Sequence, residues 1–219
     1  VEGTISVEGG ITLEKIINYT VPKKWMLHVS PAKKNITIAG CLANNVHGKN
    51  CYKKGYFGEY VEEFELFSYE KGVIKCSRKT NKNIFYSVIS GLGIMGIILS
   101  AKIKLRKLKS FYLINKINKS KNISEIINYM NNNYNYEFNI ASCDTTKYSN
   151  FDLPGISYSS DFLTDENFDI AEKNKYNFIN IFDYIYPKIK KLPFAETLLN
   201  YSFSIQSRGK FIKNHSKNK

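Results

Sequence analysis

The chain has 219 residues, of which 43% are hydrophobic and 23% charged. This composition is that of a folded chain with one large or two small domains, and it excludes a disordered protein or a disulfide-stabilised miniprotein. With 32 Lys and Arg against 19 Asp and Glu, the formal net charge of +13 makes nucleic acid and an anionic membrane surface the first partners to consider.

Short strands with brief helices between them are predicted for the first half of the chain, because apolar residues recur in short runs bounded by turn residues. Glu70-Lys71-Gly72 indicates a hairpin turn. The predicted elements are a strand at Thr4–Val7, a turn at Gly9 and Gly10, a helix after an N-cap at Thr12, a strand at Met26–Val29, a strand end at Asn35–Ile38, and strands at Val61–Ser68 and Val73–Ser77.

The segment Ile84–Ala101 contains no charged residue, so a membrane span is one interpretation of it. Several Gly and Ser residues interrupt it, and its end continues into Lys102–Arg106 with apolar and basic residues alternating, which is typical of a strand. A buried helix, turn and strand is therefore the preferred interpretation.

The pattern changes after Lys109, and a second domain is predicted to start near residue 110. Brief helices among many short strands predict an α+β fold. The second half is predicted to hold strands at Phe111–Ile117, Tyr136–Ala141 and Ile156–Tyr158, a helix at Ile123–Met130, a basic stretch with Lys188, Lys190 and Lys191 between Pro187 and Pro193, and a polar, basic end at Lys210–Lys219.

The cysteines and histidines do not form a metal-binding pattern. Cys41, Cys51, Cys76 and Cys143 are widely spaced, without a CxxC pair, and the three histidines do not complete a zinc-ligand spacing. No metal site is predicted, and reduced thiols are expected.

Gly91, Gly93 and Gly96 satisfy the GxGxxG pattern of dinucleotide-binding folds. That pattern requires a helix after the glycines and an acidic residue about 20 positions on. A strand-like segment rich in Lys and Arg follows instead. A glycine-rich turn that leads into a buried strand is predicted, and a Rossmann fold is excluded.

Small and polar residues are concentrated between residues 35 and 50. A strand end, a small-residue turn and successive backbone N–H groups would form a cradle for an anionic or polar ligand, which Gly48 would let approach closely. Asn44, Asn45 and Asn50 supply neutral donors and acceptors, Lys49 supplies a charge, and His47 can exchange a proton near neutral pH. The pattern indicates a binding site without identifying its ligand.

Five short motifs then resemble, in order and spacing, the PCMH-type FAD-binding domain of the vanillyl-alcohol oxidase superfamily. Within it the chain is most similar to the family of decaprenylphosphoryl-β-D-ribose 2′-oxidases. The motifs are Val7-Glu8-Gly9-Gly10, Thr37-Ile38-Ala39-Gly40, His47-Gly48-Lys49-Asn50, Gly55-Tyr56-Phe57-Gly58 and Ser90–Ile98.

The resemblance implies that residues 1–109 are the carboxy-terminal part of a PCMH-type FAD-binding domain and that residues 110–219 begin an α+β substrate domain. It also implies that His47 and Lys49 lie near the reacting hydroxyl as the candidate catalytic residues. The residues that it implies for FAD binding are Ala32, Thr37, Ile38, Ala39, Gly40, Asn44, Asn45, Val46, His47 and Ile98.

The implied activity is FAD-dependent oxidation of a secondary alcohol of a sugar, such as a lipid-linked pentose, in cell-wall polysaccharide biosynthesis. The implied partners are the sugar or lipid-linked sugar, a short-chain reductase and a peripheral membrane contact, with a cytoplasmic location next to the inner membrane. The family's pyrophosphate loop would precede Val1 and its closing part would follow Lys219, so we expect a fragment.

Two alternatives stay open. A basic nucleic-acid-binding module is supported by the net charge of +13 and by 16 Tyr and 14 Phe as stacking groups, although the aromatics Phe64, Phe67, Phe85 and Tyr86 follow core patterns and no binding motif occurs. The second alternative is an inactive gene fragment that holds no FAD.

Overall fold

The structure is a computed structural model that describes residues 3–145 and 153–162. The chain divides into two units, the first formed by Val1–Phe111 with Glu137–Asn139 and the second by Tyr112–Tyr136 with Ile140–Lys219. The predicted basic stretch with Lys188, Lys190 and Lys191 and the predicted basic end lie outside the described residues.

The sheet of the first unit is antiparallel, and its longest strand pairs with three others. Strand β5 pairs with β1, β2 and β3, and β3 also pairs with β4. The strands are β1 Gly3–Glu8, β2 Trp25–Leu27, β3 Val61–Ser68, β4 Gly72–Ser77 and β5 Ile97–Lys107. The strand β5 therefore sets the register of β1, β2 and β3.

Short helices connect these strands, and side-chain caps begin two of them. Thr12 caps α1 through a hydrogen bond that its Oγ1 accepts from the Lys15 amide, as predicted, and Thr37 caps α2 in the same way. The helices are α1 Leu13–Thr20, α2 Ile38–Ala43, α3 Cys51–Lys54 and α4 Lys82–Val88, and 3-10 helices span Val21–Lys23 and Phe57–Tyr60.

The core of the first unit lies where α1, α2 and α4 contribute apolar side chains beside those of the sheet. Phe64 from β3 and Phe85 from α4 are buried and stack with their ring centroids 5.2 Å apart. Their burial confirms the core pattern predicted for them, but the same prediction was wrong for Phe67 and Tyr86, which are 43% and 48% exposed. The core also includes Leu13, Ile16, Ile38, Cys41, Leu42, Leu66, Ile98, Ala101, Ile103 and Leu105.

The uncharged segment Ile84–Ala101 forms a helix, a turn and a strand, which confirms the preferred interpretation. Helix α4 ends at Val88, a glycine-rich turn follows, and β5 begins at Ile97. No helix within residues 3–145 and 153–162 is long and apolar enough to cross a membrane. A strand after the glycines also agrees with the exclusion of a Rossmann fold.

The second unit contains a helix and strands of a three-stranded sheet with the order β6-β8-β7. Strands β6 and β8 are antiparallel, with Leu113 opposite Phe162 and Ser120 opposite Gly155. The elements are β6 Leu113–Ser120, α5 Ile123–Asn132, β7 Phe138–Cys143 and β8 Gly155–Phe162. With helices and antiparallel strands in the described residues, the predicted α+β class is confirmed.

Several predicted boundaries were wrong. The strand predicted at Tyr136–Ala141 is β7 at Phe138–Cys143, and the one predicted at Ile156–Tyr158 is the longer β8 at Gly155–Phe162. The strand predicted at Met26–Val29 is β2 at Trp25–Leu27, because pairing with β5 ends at Leu27. The strand predicted at Phe111–Ile117 begins at Leu113, where pairing with β8 starts. The strand end and turn predicted from Asn35 are a loop and then helix α2, because the Thr37 side chain caps a helix there.

Candidate functional site

Backbone groups of three segments meet at the glycine pair that follows β1. The Gly9 amide donates to the Leu99 carbonyl of β5 at 2.7 Å, and the Gly9 carbonyl accepts from the Ala39 amide of α2 at 2.8 Å. The Ile38 amide donates to the Ile11 carbonyl at 2.9 Å. The turn after β1 is thereby tied to both β5 and the first turn of α2.

Gly9 is required at this junction because no side chain would fit. A Cβ atom at residue 9 would collide with the Ile98 carbonyl oxygen, whereas a Cβ at Gly10 would meet nothing within 4 Å. The close approach of the two backbones depends on a hydrogen atom in place of a side chain. Gly9 belongs to the first of the five motifs, but it was not among the predicted site residues. The sequence feature that could have identified it is a glycine pair directly after a strand.

Helix α2 carries four of the predicted cofactor residues at or near its first turn. Thr37 is the N-cap and accepts from the Gly40 amide at 3.2 Å, Ile38 is fully buried, and Ala39 and Gly40 are half-buried. Small side chains at residues 39 and 40 keep this part of the helix narrow, so that another chain or a ligand can come close to its backbone.

The glycine-rich turn before β5 binds the other end of α2. The Ser90 amide donates to the Leu42 carbonyl at 3.2 Å, and the Leu92 amide donates to the Ala43 carbonyl at 2.8 Å. Both Ser90 and Leu92 have positive φ, at 69° and 54°. The turn thus provides a donor for the Ala43 carbonyl and a further donor for the Leu42 carbonyl, which also accepts from the Asn45 amide.

Asn44, Asn45 and Val46 continue directly from α2. Asn44 is exposed and its Nδ2 donates to the Gly40 carbonyl at 3.0 Å. The Oδ1 of Asn45, a residue with φ of 43°, accepts from the Gly58 amide at 2.9 Å, and the Val46 carbonyl accepts from the Phe57 amide at 2.9 Å. These bonds fix the path of the chain from α2 to His47.

His47 and Lys49, the predicted catalytic residues, are both exposed, whereas the residue that follows each of them is buried. His47 pairs with Tyr56 in an isolated antiparallel bridge, with the two rings edge to face at 6.4 Å. Gly48 and Asn50 are buried. The alternation presents the imidazole and the ammonium group to solvent from an anchored backbone.

The structure brings most of the predicted site residues into one framework. Ile98 is buried on β5 and its carbonyl lies against Gly9, as described above. Ala32 lies in the exposed loop between β2 and α2 and takes no part in the hydrogen bonds of this framework. The assignment of these residues to FAD or to catalysis stays a prediction.

The only thiol in α2 is unreactive by position. Cys41 is fully buried, and burial raises the pKa of its thiol from 9.0 to about 12. The thiol is therefore neutral at physiological pH and is not a nucleophile. In the described part of the chain, no group of three or more His, Cys, Asp or Glu side chains could hold a metal ion.

The framework is held together mainly by backbone hydrogen bonds within the chain. Gly9 itself is buried and bonded to Leu99 and Ala39, and the residues that the framework exposes include Gly10 and Asn44, neither of which is charged. Such a surface suits a nucleotide cofactor, which is bound through hydrogen bonds to backbone and neutral side chains.

Comparison with known families identifies the class. Residues 1–77 match the sequence model of the FAD binding domain family. This match confirms the resemblance of the amino-terminal part of the chain to PCMH-type FAD-binding domains, and FAD is the cofactor that it indicates.

The curated relatives include three enzymes. The chain is 27% identical over half its length to decaprenylphosphoryl-β-D-ribose oxidase of Mycolicibacterium smegmatis, and 31% identical over 46% of its length to cytokinin dehydrogenase 1 of Arabidopsis thaliana. It is 22% identical over 49% of its length to human Δ24-sterol reductase. The matched regions span 24%, 18% and 21% of these relatives.

Proposed function

We propose that this chain is a section of an FAD-dependent oxidoreductase that oxidises a secondary alcohol of a sugar, with a lipid-linked pentose as its substrate. The observation that carries the proposal is the match of residues 1–77 to the FAD binding domain family, a region that includes Gly9 and helix α2. The substrate class is proposed from the name of the M. smegmatis relative.

In the proposed reaction the alcohol carbon loses a hydride and its oxygen loses a proton, giving a ketone. FAD, when bound, supplies the acceptor for the two electrons. The residues of this chain bind and orient: the Gly9 turn and α2 hold the cofactor through their backbones, and His47 and Lys49 contact the sugar near the reacting hydroxyl. Neither is assigned as the base.

The basic residues of β5 support membrane attraction less than their number suggests. Lys102 Nζ lies 2.9 Å from Glu62 Oε2, and Lys107 Nζ lies 3.8 Å from the centroid of the Trp25 ring. Arg106 is mostly buried and pairs with Glu137. The proposal still includes a lipid-linked substrate and a short-chain reductase that consumes the ketone, both on chemical grounds. Contact with a membrane is a secondary part of the proposal.

The test uses the full gene product, purified and examined for bound flavin. We expect a yellow protein with visible flavin absorbance that oxidises a polyprenyl-phosphoryl ribose with an artificial electron acceptor. His47→Ala and Lys49→Ala should each lower kcat/KM by about tenfold or more, the loss expected for a contact to the reacting group. Lys33→Ala, which changes an exposed lysine of the preceding loop, is the matched control.

A folded, colourless protein that takes up no added FAD would overturn the proposal. Salt-dependent binding of such a protein to random oligonucleotides would favour the nucleic-acid alternative. A yellow protein whose kinetics are the same in wild type and both site variants would retain FAD binding but remove His47 and Lys49 from the site.

A further inference from the structure

A buried polar cluster lies behind the segment that carries His47 and Lys49. It consists of Asn50, Arg106 and Glu137, all in the first unit, together with the backbone of His28. Glu137 is far from the others in sequence, and the motif comparison did not point to it. Charged residues are seldom buried unless they are paired, so this cluster requires an explanation.

Asn50 connects the cluster to the site segment. Its side chain is 2% exposed, and its Nδ2 donates to the His28 carbonyl at 2.9 Å and lies 3.4 Å from Glu137 Oε1. Its backbone carbonyl accepts from the Lys53 and Lys54 amides and so begins helix α3. Asn50 therefore fixes the carboxyl end of the His47–Lys49 segment from both its side chain and its backbone.

The backbone of Gly48, within the His47–Lys49 segment, packs closely against the Asn50 side chain. A Cβ at residue 48 would lie 2.8 Å from Asn50 Oδ1 and 2.9 Å from the Ser30 carbonyl oxygen. The backbone of residue 48 is thus pressed between Asn50 and the strand-end loop at Ser30. A displacement of the Asn50 side chain would move the backbone that joins His47 to Lys49.

Glu137 is held in turn by an ion pair. Arg106 Nη2 lies 2.7 Å from Glu137 Oε1, and the two side chains are 13% and 10% exposed. Two residues further on, the Asn139 amide donates to the Lys49 carbonyl at 3.1 Å. The segment Glu137–Asn139 therefore contacts both Asn50 and Lys49, while β5 fixes it through Arg106.

We propose that Asn50, Glu137 and Arg106 are positioning residues that hold the His47–Lys49 segment in the geometry that its substrate requires. The inference rests on the proposed function for the role of His47 and Lys49, but the anchoring itself is a property of the chain. The three residues act through the backbone of residues 48 and 49 and do not touch the substrate.

The test compares variants of the full gene product by hydrogen exchange and kinetics. Glu137→Gln removes the carboxylate while keeping its size, and Asn50→Ala removes the amide without leaving a buried charge. Glu63→Gln is the matched control, since it removes a carboxylate whose ion pair with the exposed Lys75 lies away from this cluster in the same unit. We expect exchange of the amides of residues 48–54 to rise about tenfold in both test variants, the effect of a lost buried hydrogen bond, and that of α2 to stay unchanged.

The kinetic measurement separates positioning from a structural role. KM for the polyprenyl-phosphoryl ribose should rise about tenfold in both variants, with FAD affinity within about twofold of wild type, because all the residues implied for FAD binding except His47 lie outside the anchored segment. Unchanged exchange of residues 48–54 in both variants would refute the anchoring, and raised exchange with unchanged KM would refute the positioning role.

The two proposals fail in different ways. If wild type turns over no sugar alcohol, the proposed function fails while the exchange measurement still decides the anchoring. If Glu137→Gln does not fold because Arg106 is left buried without its partner, Asn50→Ala decides alone, since it removes no charge.

Discussion

The amide of Ala39 donates to the carbonyl of Gly9, so that the first turn of α2 is tied directly to the turn after β1. Gly9 makes a second backbone bond to Leu99. One residue without a side chain thus joins a strand, a turn and a helix, and the position of α2 depends on that residue.

Replacing Gly9 should therefore destabilise the folded protein, and replacing the adjacent Gly10 should not. Gly9→Ala would press a Cβ against the Ile98 carbonyl, and we expect it to lower the free energy of unfolding by about 1–3 kcal/mol. Gly10→Ala, with open space around the new methyl group, should change it by less than about 0.5 kcal/mol. Urea denaturation followed by circular dichroism measures both. Equal effects of the two substitutions would contradict the described packing.

The cap of α2 can be tested separately. Thr37→Ala removes the Oγ1 that accepts from the Gly40 amide and should destabilise the protein by about 1 kcal/mol. Thr37→Ser keeps the oxygen and should recover most of that loss. The same denaturation experiment applies, and a serine variant as unstable as the alanine variant would show that the threonine methyl, and not the cap, matters.

The stacked rings of Phe64 and Phe85 should contribute strongly to the free energy of unfolding. Phe85→Ala removes a fully buried ring, and we expect a loss of about 3–5 kcal/mol in the free energy of unfolding. The adjacent Tyr86 is 48% exposed, so Tyr86→Ala should cost much less. A comparable loss in thermal stability for both variants would argue against the assignment of Phe85 to the core.

Burial of Cys41 predicts a dependence of stability on pH. Its thiol has a pKa of about 12 in the folded chain against 9.0 ordinarily, so the unfolded chain loses this proton first as the pH rises. The contribution of Cys41 to stability is complete below pH 9 and falls between about pH 9 and 12, by at most about 1.4 kcal/mol per pH unit.

Cys41→Ala is the comparison that isolates this effect. The difference between the free energies of unfolding of wild type and variant should shrink as the pH rises from 8 to 10.5. A difference that stays constant over this range would mean that the thiol ionises equally in both states. At pH 8, a thiol reagent should label the half-buried Cys51 and leave Cys41 unmodified.

The sequence predicted those elements whose signals are local. Thr12 as an N-cap, the hairpin around Lys71, and the helix that begins at Ile123 depend on residues near one another in the chain, and the structure has all three. The alternation of Lys102 and Ile103 was likewise sufficient to identify β5 as a strand.

Local patterns failed where a distant partner decides the structure. The β-branched residues around Thr37 favoured a strand, but the threonine side chain caps a helix whose first turn is held by Gly9 and Ile11. The contact of Asn50 with Glu137 spans 87 positions and leaves no signal in the spacing of either residue. Gly9 can be recognised in the sequence as part of a motif. That a Cβ at residue 9 would collide with the Ile98 carbonyl, however, depends on the register of β1 and β5 and cannot be seen in the sequence.

The pairing of β5 with three other strands has a consequence for changes in chain length. Within β5, Ala101, Ile103 and Leu105 face the core, and Lys102, Lys104 and Arg106 lie between them. Deleting a single residue after Ser100 would turn the basic side chains inward and the apolar ones outward, against β1 and β3 at the same time. This strand should accept many substitutions but no insertion or deletion. In a survey of single-codon deletions, we expect the yield of folded protein to be lowest for deletions between Ala101 and Arg106.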